Sequence, residues 1–311
     1  MHYISLTFDT DPDGLSGITA NRNASSFVGL EEILSLPYFL SDNFKKIIPF
    51  TWFIRIDDQI EKFCGDSFFL FEKYYNKWRE FESLGHELAW HPHIYEFING
   101  EYKISIDDSF NCDALEKTWQ LINKRDLKFY SFRNGEGWHT IKTFATLESF
   151  GILNDSTAIP GISRMPEHPI NWLDSPQQPY FPDKNNLNKV ASKEGSLIEI
   201  PMSSWLTKTG YDKATKIRYM NLAVKKEYFS NWLRGIDINS FINKPFCWNF
   251  VCHPDELMKS RKGDLLFSGN QLDFYINLQL FIEKINSAGI CYEFVTINQI
   301  GNLFRSKWSR K

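Results

Sequence analysis

YISLTFDTDPDG, residues Tyr3–Gly14, is an apolar, β-branched and aromatic run that breaks abruptly into acid. Tyr3–Phe8 is too short for a helix and has the composition of a buried strand. Asp9-Thr10-Asp11 follows at once, and Pro12, Asp13 and Gly14 close the stretch as turn formers. The arrangement recurs along the chain. Candidate strands lie at Tyr3–Phe8, Phe50–Ile56, Glu87–Trp90, Lys128–Phe132, Ile152–Asn154, Leu197–Ile200, Phe246–Cys252 and Cys291–Thr296. Helix-like stretches fall between them, at Leu30–Leu34, Phe69–Ser83, Asp113–Lys124, Thr140–Ser149, Lys225–Arg234 and Gln271–Ser287. Strands alternating with helices imply a parallel sheet, closed or open. Pro160–Asn188, rich in Pro, Asn, Gln and Asp, reads as a long loop over one end of it.

Polar residues collect where these strands end. After Phe8 come Asp9 and Asp11, after Trp90 come His91 and His93, after Phe132 comes Arg133, after Asn154 comes Asp155, and after Cys252 comes His253. Ligands in parallel α/β folds bind at the carboxyl ends of the strands. Packing alone does not put Asp, His and Arg at separate strand ends.

Each group has a chemical and a bland reading. Asp9 and Asp11 are spaced to reach one pocket, where paired carboxylates need a cation or a proton between them. Alone, they read equally as an Asp-rich turn. GHELAWHPHIYEF (Gly85–Phe97) delivers His91 and His93 to the same end as Asp11, a two-histidine, one-carboxylate set suited to a divalent ion; otherwise they are loop residues making hydrogen bonds. His86 precedes that strand and belongs at its other end. FRNGEGWH (Phe132–His139) offers Arg133 to orient a carboxylate. NDSTAIPG (Asn154–Gly161) offers Asp155 as that arginine's partner or neighbour. WNFVCHPDEL (Trp248–Leu257) sets His253 to act as a general acid. In TWFIRID (Thr51–Asp57), Arg55 and Asp57 either line the pocket or pair with each other at its rim.

Composition narrows the classes. Of 311 residues, 42% are hydrophobic and 23% charged, ordinary for a globular protein. Aromatics reach 16%, with 27 Phe and 10 Trp; these build an aromatic core or offer faces on which sugar rings stack. Lys and Arg number 35 against 38 Asp and Glu, a net charge of −3, which gives no electrostatic case for a nucleic-acid partner. The basic segment Arg305–Lys311 reads as a solvated tail. Five cysteines without a CxxC pair argue against a disulfide framework or a thiolate zinc site. No membrane span and no signal peptide are expected, and a cytoplasmic location fits these features.

From Tyr3 to about Thr296 these motifs, in this order, resemble the polysaccharide deacetylase superfamily (carbohydrate esterase family 4 and its relatives). TFDTD stands where that family has TFDDG or a variant, and its DxD spacing looks like the branch that includes peptidoglycan deacetylases and allantoinase-like amidases. GHELAWH resembles the family's GHEIGSH, FRNGEG its arginine motif, and FVCHPD its terminal histidine motif. The resemblance implies an α/β fold: a distorted, incomplete (β/α)7–8 barrel with parallel strands, one domain over 1–311 with a loop insertion near 160–190. It implies Asp9 as base, Asp11 and His91 as metal ligands, Arg133 and Asp155 as residues that orient the base and acid, and His253 as the acid. The cofactor implied is a divalent metal, zinc first, with Co, Mn, Ni or Fe as alternatives. One departure stands out: the family's second histidine ligand comes four residues after the first, where this chain has Tyr95. His93 is the nearby replacement.

The activity implied is removal of an N-acyl group from an amino sugar of a cell-surface polysaccharide or its precursor, such as a lipopolysaccharide building block. The alternatives are an allantoinase-like amidase acting on a small non-sugar amide and a non-catalytic sugar-binding barrel. Saccharide or small amide is the expected partner, and the oligomeric state is open.

Overall fold

A computed structural model of the chain describes residues 1–14, 26–209, 212–261 and 264–308. Its main sheet has eight strands. In chain order they are β1 (His2–Asp9), β2 (Phe50–Arg55), β3 (Glu87–His91), β4 (Ser131–Phe132), β5 (Asn154–Asp155), β6 (Ile198–Glu199), β7 (Phe246–Cys252) and β8 (Tyr292–Phe294). In space they run β6-β5-β4-β3-β2-β1-β7, with β8 also on β1, and every ladder is parallel. β1 is the axis of the sheet. β7 follows it from His2 to Phe8, while its other edge is shared by β8 at His2–Ile4 and β2 at Leu6–Asp9.

This is a distorted, incomplete (β/α) barrel, since β6 and β7 form no ladder with each other among the described residues. Asn249 of β7 bridges the seam. Its side-chain amide donates to Ser156 Oγ (2.9 Å) and to the carbonyls of Ile200 (3.3 Å) and Pro201 (3.2 Å). The Ser203 backbone N–H donates back to the Asn249 carbonyl at 3.0 Å.

The two-residue period of a strand sorts the side chains. Phe8, Trp52, Trp90, Phe132, Trp248 and Phe250 share the main core with helix residues. Trp52 stacks on Phe81 of the helix Tyr75–Ser83, ring centroids 5.3 Å apart, and Phe250 meets Phe281 of the helix Gln271–Ser287 edge-on at 4.9 Å. Trp52, Trp78, Trp90, Trp138 and Trp248 head the fully buried side chains. Burying each such side chain contributes about 1.5–3 kcal/mol, so the aromatic excess is mostly core. The alternate set, Tyr3, Phe53 and Ala89, forms a separate cluster with Ile198, Ile200 and Val295. Continuing that set toward the carboxyl ends gives Thr7, Asp9, Arg55, His91 and Arg133, all buried and all polar. The period that makes the core therefore also makes the site.

Several sequence expectations need correction. The single helix expected over Phe69–Ser83 is two, Phe69–Lys73 and Tyr75–Ser83. Helices Leu36–Phe44, Asp58–Cys64 and Ile297–Trp308 were not foreseen. The basic segment does not begin as a solvated tail: Arg305 sits on the terminal helix, donating to Asn154 Oδ1 at 3.1 Å and to the Leu153 carbonyl. Residues 309–311 lie outside the described residues. The insertion is folded, with a bridge between Ser163 and Asn171 and a hairpin of Pro182–Asp183 with Asn186–Val190. Its aromatics Trp172, Tyr180 and Phe181 are buried, so they pack the insertion and offer no sugar-stacking surface. No disulfide joins any of the five cysteines, and no described helix is long and apolar enough to cross a membrane.

Candidate active site

The strand ends bring Asp9, Asp11, His91, His93, Arg133 and His253 to one cleft of about 310 Å³. Arg133 is wholly buried and grips the first acid. Its Nη1 donates to Asp9 Oδ1 (2.6 Å) and Thr7 Oγ1 (2.9 Å), Nε to the Ser156 carbonyl (2.8 Å), and Nη2 to Ser156 Oγ (3.0 Å). Its guanidinium lies over the Phe53 ring, 4.0 Å from the centroid. Asp9 Oδ1 is thereby committed, and Oδ2 faces the cleft, 3.9 Å from both His91 Nε2 and His253 Nε2.

Asp11 is held by a second buried arginine. Arg55 Nη1 meets Asp11 Oδ1 at 2.5 Å, Nε meets Asp57 Oδ2 at 2.6 Å, and Nη2 donates to Gln59 Oε1 at 2.9 Å. Arg55 and Asp57 therefore pair with each other, as one of the two sequence alternatives has it, but in the interior and not at a rim; neither lines the cleft itself. Burial would raise the Asp11 carboxyl, but His93 and Arg55 outweigh it and hold it well below the usual carboxylate range. Asp57 is likewise kept low against burial by Arg55.

Asp11, His91 and His93 form a group able to hold a metal ion, their donor atoms within 4.8 Å of one another. Nε2 of His93 lies 3.3 Å from Nε2 of His91 and 3.2 Å from Asp11 Oδ1, and His91 Nε2 lies 3.8 Å from Asp11 Oδ2. A tetrahedral ion with bonds of about 2.1 Å sets its donors roughly 3.4 Å apart, so the spacing fits. The tautomer of His91 fits too. Its Nδ1 is 2.8 Å from the Arg133 carbonyl, which only accepts, so Nδ1 carries the proton and Nε2 turns a lone pair inward. Converging lone pairs beside a carboxylate call for a cation between them.

His253 closes the other side, its Nε2 3.6 Å from Asp11 Oδ2. Its Nδ1 is 3.2 Å from Glu256 Oε1, and Glu256 Oε2 accepts from the His253 backbone N–H and from Asn221 Nδ2, each at 2.8 Å. Burial disfavours a charged imidazole, yet Glu256, then Asp9 and Asp11, lift His253 to about 10. Glu256 was not singled out from sequence, although the His-x-x-Glu spacing at the start of a short helical turn carries a capping-box signal.

Of the two sequence alternatives for Asp155, partner of Arg133 or its neighbour, the geometry gives the neighbour. Asp155 does not line the cleft, and none of its hydrogen bonds goes to Arg133. It sits behind the arginine with His139 Nε2 3.1 Å away and Thr157 Oγ1 donating at 2.6 Å. Burial and then the Asp155 charge push the neighbouring Glu199 carboxyl well above the usual range, while His139 offsets burial and keeps Asp155 low. The next residue, Ser156, is the one that touches Arg133. His86 lies away from the cleft, as expected, accepting from the Phe50 N–H at 2.9 Å.

No protein-family profile matches the chain, and no curated protein matches it. Solved structures do. A Mycobacterium smegmatis protein described as a "putative polysaccharide deacetylase" aligns at 16% identity over 98% of this chain and 91% of its own, with a TM-score of 0.53. A Bacillus anthracis protein described as "a CE4 family pseudoenzyme" aligns at 10% identity over 96% of this chain and 65% of its own, TM-score 0.41. A Bordetella bronchiseptica protein described as a "putative polysaccharide deacetylase involved in o-antigen biosynthesis" aligns at 12% identity over 85% and 77%, TM-score 0.36. The fold is that of the polysaccharide deacetylase type.

Proposed function

We propose that this chain is a divalent-metal amidase that removes an N-acyl group, an acetyl group first among them, from an amino sugar. The observation that carries the reading is the convergence of Asp11, His91 and His93 between a clamped carboxylate, Asp9, and a charged imidazole, His253. Asp11, His91 and His93 would hold the ion. When bound, it would polarise the acyl carbonyl and acidify water; zinc, cobalt, manganese, nickel and iron all suit such a mixed nitrogen and oxygen set.

The chain's own residues handle the protons. Asp9 Oδ2 accepts the proton of the attacking water, and Arg133 keeps that carboxylate oriented through Oδ1. His253 stands opposite with Nδ1 on Glu256, so its Nε2–H is the donor to the departing amine. An amine leaves only when protonated, so a base on one side and an acid on the other make a complete cycle. A pure binding protein has no use for such a pair.

The shape of the cleft favours a saccharide over a small amide. It shares Arg164, Tyr219 and Phe267 with a second cavity of about 560 Å³ that also takes in Trp232 and Asn221. Together they leave room for more than one sugar ring, within the usual size of ligand sites. The test is release of acetate from N-acetylated amino sugars, as monomers and as short oligomers, by metal-loaded protein. Turnover that grows with oligomer length and is lost in Asp9→Asn supports the reading. Turnover only on small cyclic amides replaces it with the non-sugar amidase, and saccharide binding without turnover replaces it with the binding barrel.

A further inference from the structure

His93 follows His91 by two residues, and a strand-end loop does not by itself aim two such rings at one point. Three features around His93 do. The first is space. A Cβ on Gly135 would lie 2.2 Å from His93 Cδ2 and 2.7 Å from its Nε2, so only glycine lets the ring lie there. The Gly135 N–H also donates to the Pro92 carbonyl at 2.8 Å, tying the Arg133 turn to the histidine loop. The second is backbone. Glu136 adopts a left-handed conformation, φ 61°, which a side-chain-bearing residue enters at a cost. The third is a hydrogen-bond chain. Tyr95 Oη donates to Glu136 Oε1 at 2.5 Å, and His93 Nδ1 lies 2.7 Å from the same Tyr95 oxygen.

The proton count along that chain is determinate. A carboxylate only accepts, so the single phenol proton goes to Glu136. Tyr95 Oη must then accept from His93 Nδ1–H. That leaves His93 Nε2 as the ring nitrogen turned to the group, 3.3 Å from His91 Nε2 and 3.2 Å from Asp11 Oδ1, and the one whose lone pair an ion would take. The Arg133 carbonyl imposes the same tautomer on His91.

We infer that Tyr95 and Glu136 are positioning residues which, with Gly135 giving the ring its space, hold His93 as an Nε2 donor to the ion. Tyr95 stands where the resembled family has its second histidine; here it serves the ligand instead of being one. The inference rests on the metal reading above. Outer partners of this kind typically set metal affinity by 10–100-fold.

The test uses the full chain, stripped of metal and titrated with Co²⁺ while its visible absorption is followed. Tyr95→Phe is expected to weaken Co²⁺ binding by about 10–100-fold and to alter the cobalt bands. Glu136→Ala is expected to do the same. Glu136→Gln, whose amide oxygen still accepts from the phenol, is expected to restore most of the affinity, which a merely structural role would not predict. ¹⁵N-histidine spectra of the zinc form should show a hydrogen-bonded His93 Nδ1–H in the parent, with that hydrogen bond lost in Tyr95→Phe. Unchanged affinity and bands in Tyr95→Phe and Glu136→Ala overturn the inference and leave the metal site standing. If the parent binds neither Co²⁺ nor Zn²⁺, the metal reading fails and takes this inference with it. Should Tyr95→Phe not fold, the two Glu136 variants decide alone.

Discussion

Arg55→Met asks whether guanidinium and ion share one carboxylate. Arg55 is wholly buried and pairs with Asp11 at 2.5 Å and Asp57 at 2.6 Å. Removing it strands two buried carboxylates, a loss of about 3–5 kcal/mol in metal-free protein. An ion on Asp11 changes that figure. A divalent ion and a guanidinium roughly 5 Å apart across a carboxylate repel by about 7 kcal/mol at an effective dielectric near 20. Without the guanidinium the ion should bind more tightly by roughly four to five orders of magnitude. In saturating metal the loss should then be offset to about 1 kcal/mol or less. Urea unfolding of parent and variant, in chelator and in excess metal, gives all four values. An equal loss in both conditions refutes the idea that Arg55 and the ion meet at Asp11. A loss below about 1 kcal/mol in chelator refutes the role of Arg55 in neutralising the two acids.

Two further predictions concern the surroundings of the site. Burial lowers His86 to about 4 while its Nδ1 accepts from the Phe50 N–H. The fold therefore favours the neutral ring. Its contribution is fully present above the unfolded value of 6.5 and is lost as pH falls toward 4. Going from pH 7.5 to 5 should cost about 2 kcal/mol by urea unfolding, and His86→Gln should flatten that part of the curve; identical curves would sink the assignment. Asp155→Asn should lower stability by about 1–3 kcal/mol, through its lost pairing with His139. In turnover assays it should cost less than about tenfold, against 10²–10⁴-fold for Asp9→Asn. Equal losses would return Asp155 to the reacting centre.

Much of the fold was readable because a buried strand announces itself by an apolar run and a polar break. Phe8 to Asp9 and Cys252 to His253 were placed within a residue or so of the observed ends. Apolar runs do not reveal ladder length, and so Lys128–Phe132 and Ile152–Asn154 shrank to the short strands Ser131–Phe132 and Asn154–Asp155. Residue type at strand ends also pointed to the cleft. What it could not give was who pairs with whom across the barrel. Arg55 reaches Asp11 from another strand, and Ser156, one residue beyond Asp155, reaches Arg133 because alternate residues at a strand end face opposite ways. The need for Gly135 is likewise a matter of tertiary packing, since its collision partner is a histidine on a different strand end.

The central claim is that Asp11, His91 and His93 hold a divalent ion. Elemental analysis tests it most directly, on parent protein purified without chelator beside Asp11→Ala, His91→Ala and His93→Ala. The account predicts about one equivalent of metal in the parent and its loss from all three folded variants. A parent that carries no metal, even after incubation with Zn, Co, Mn or Ni, would contradict it.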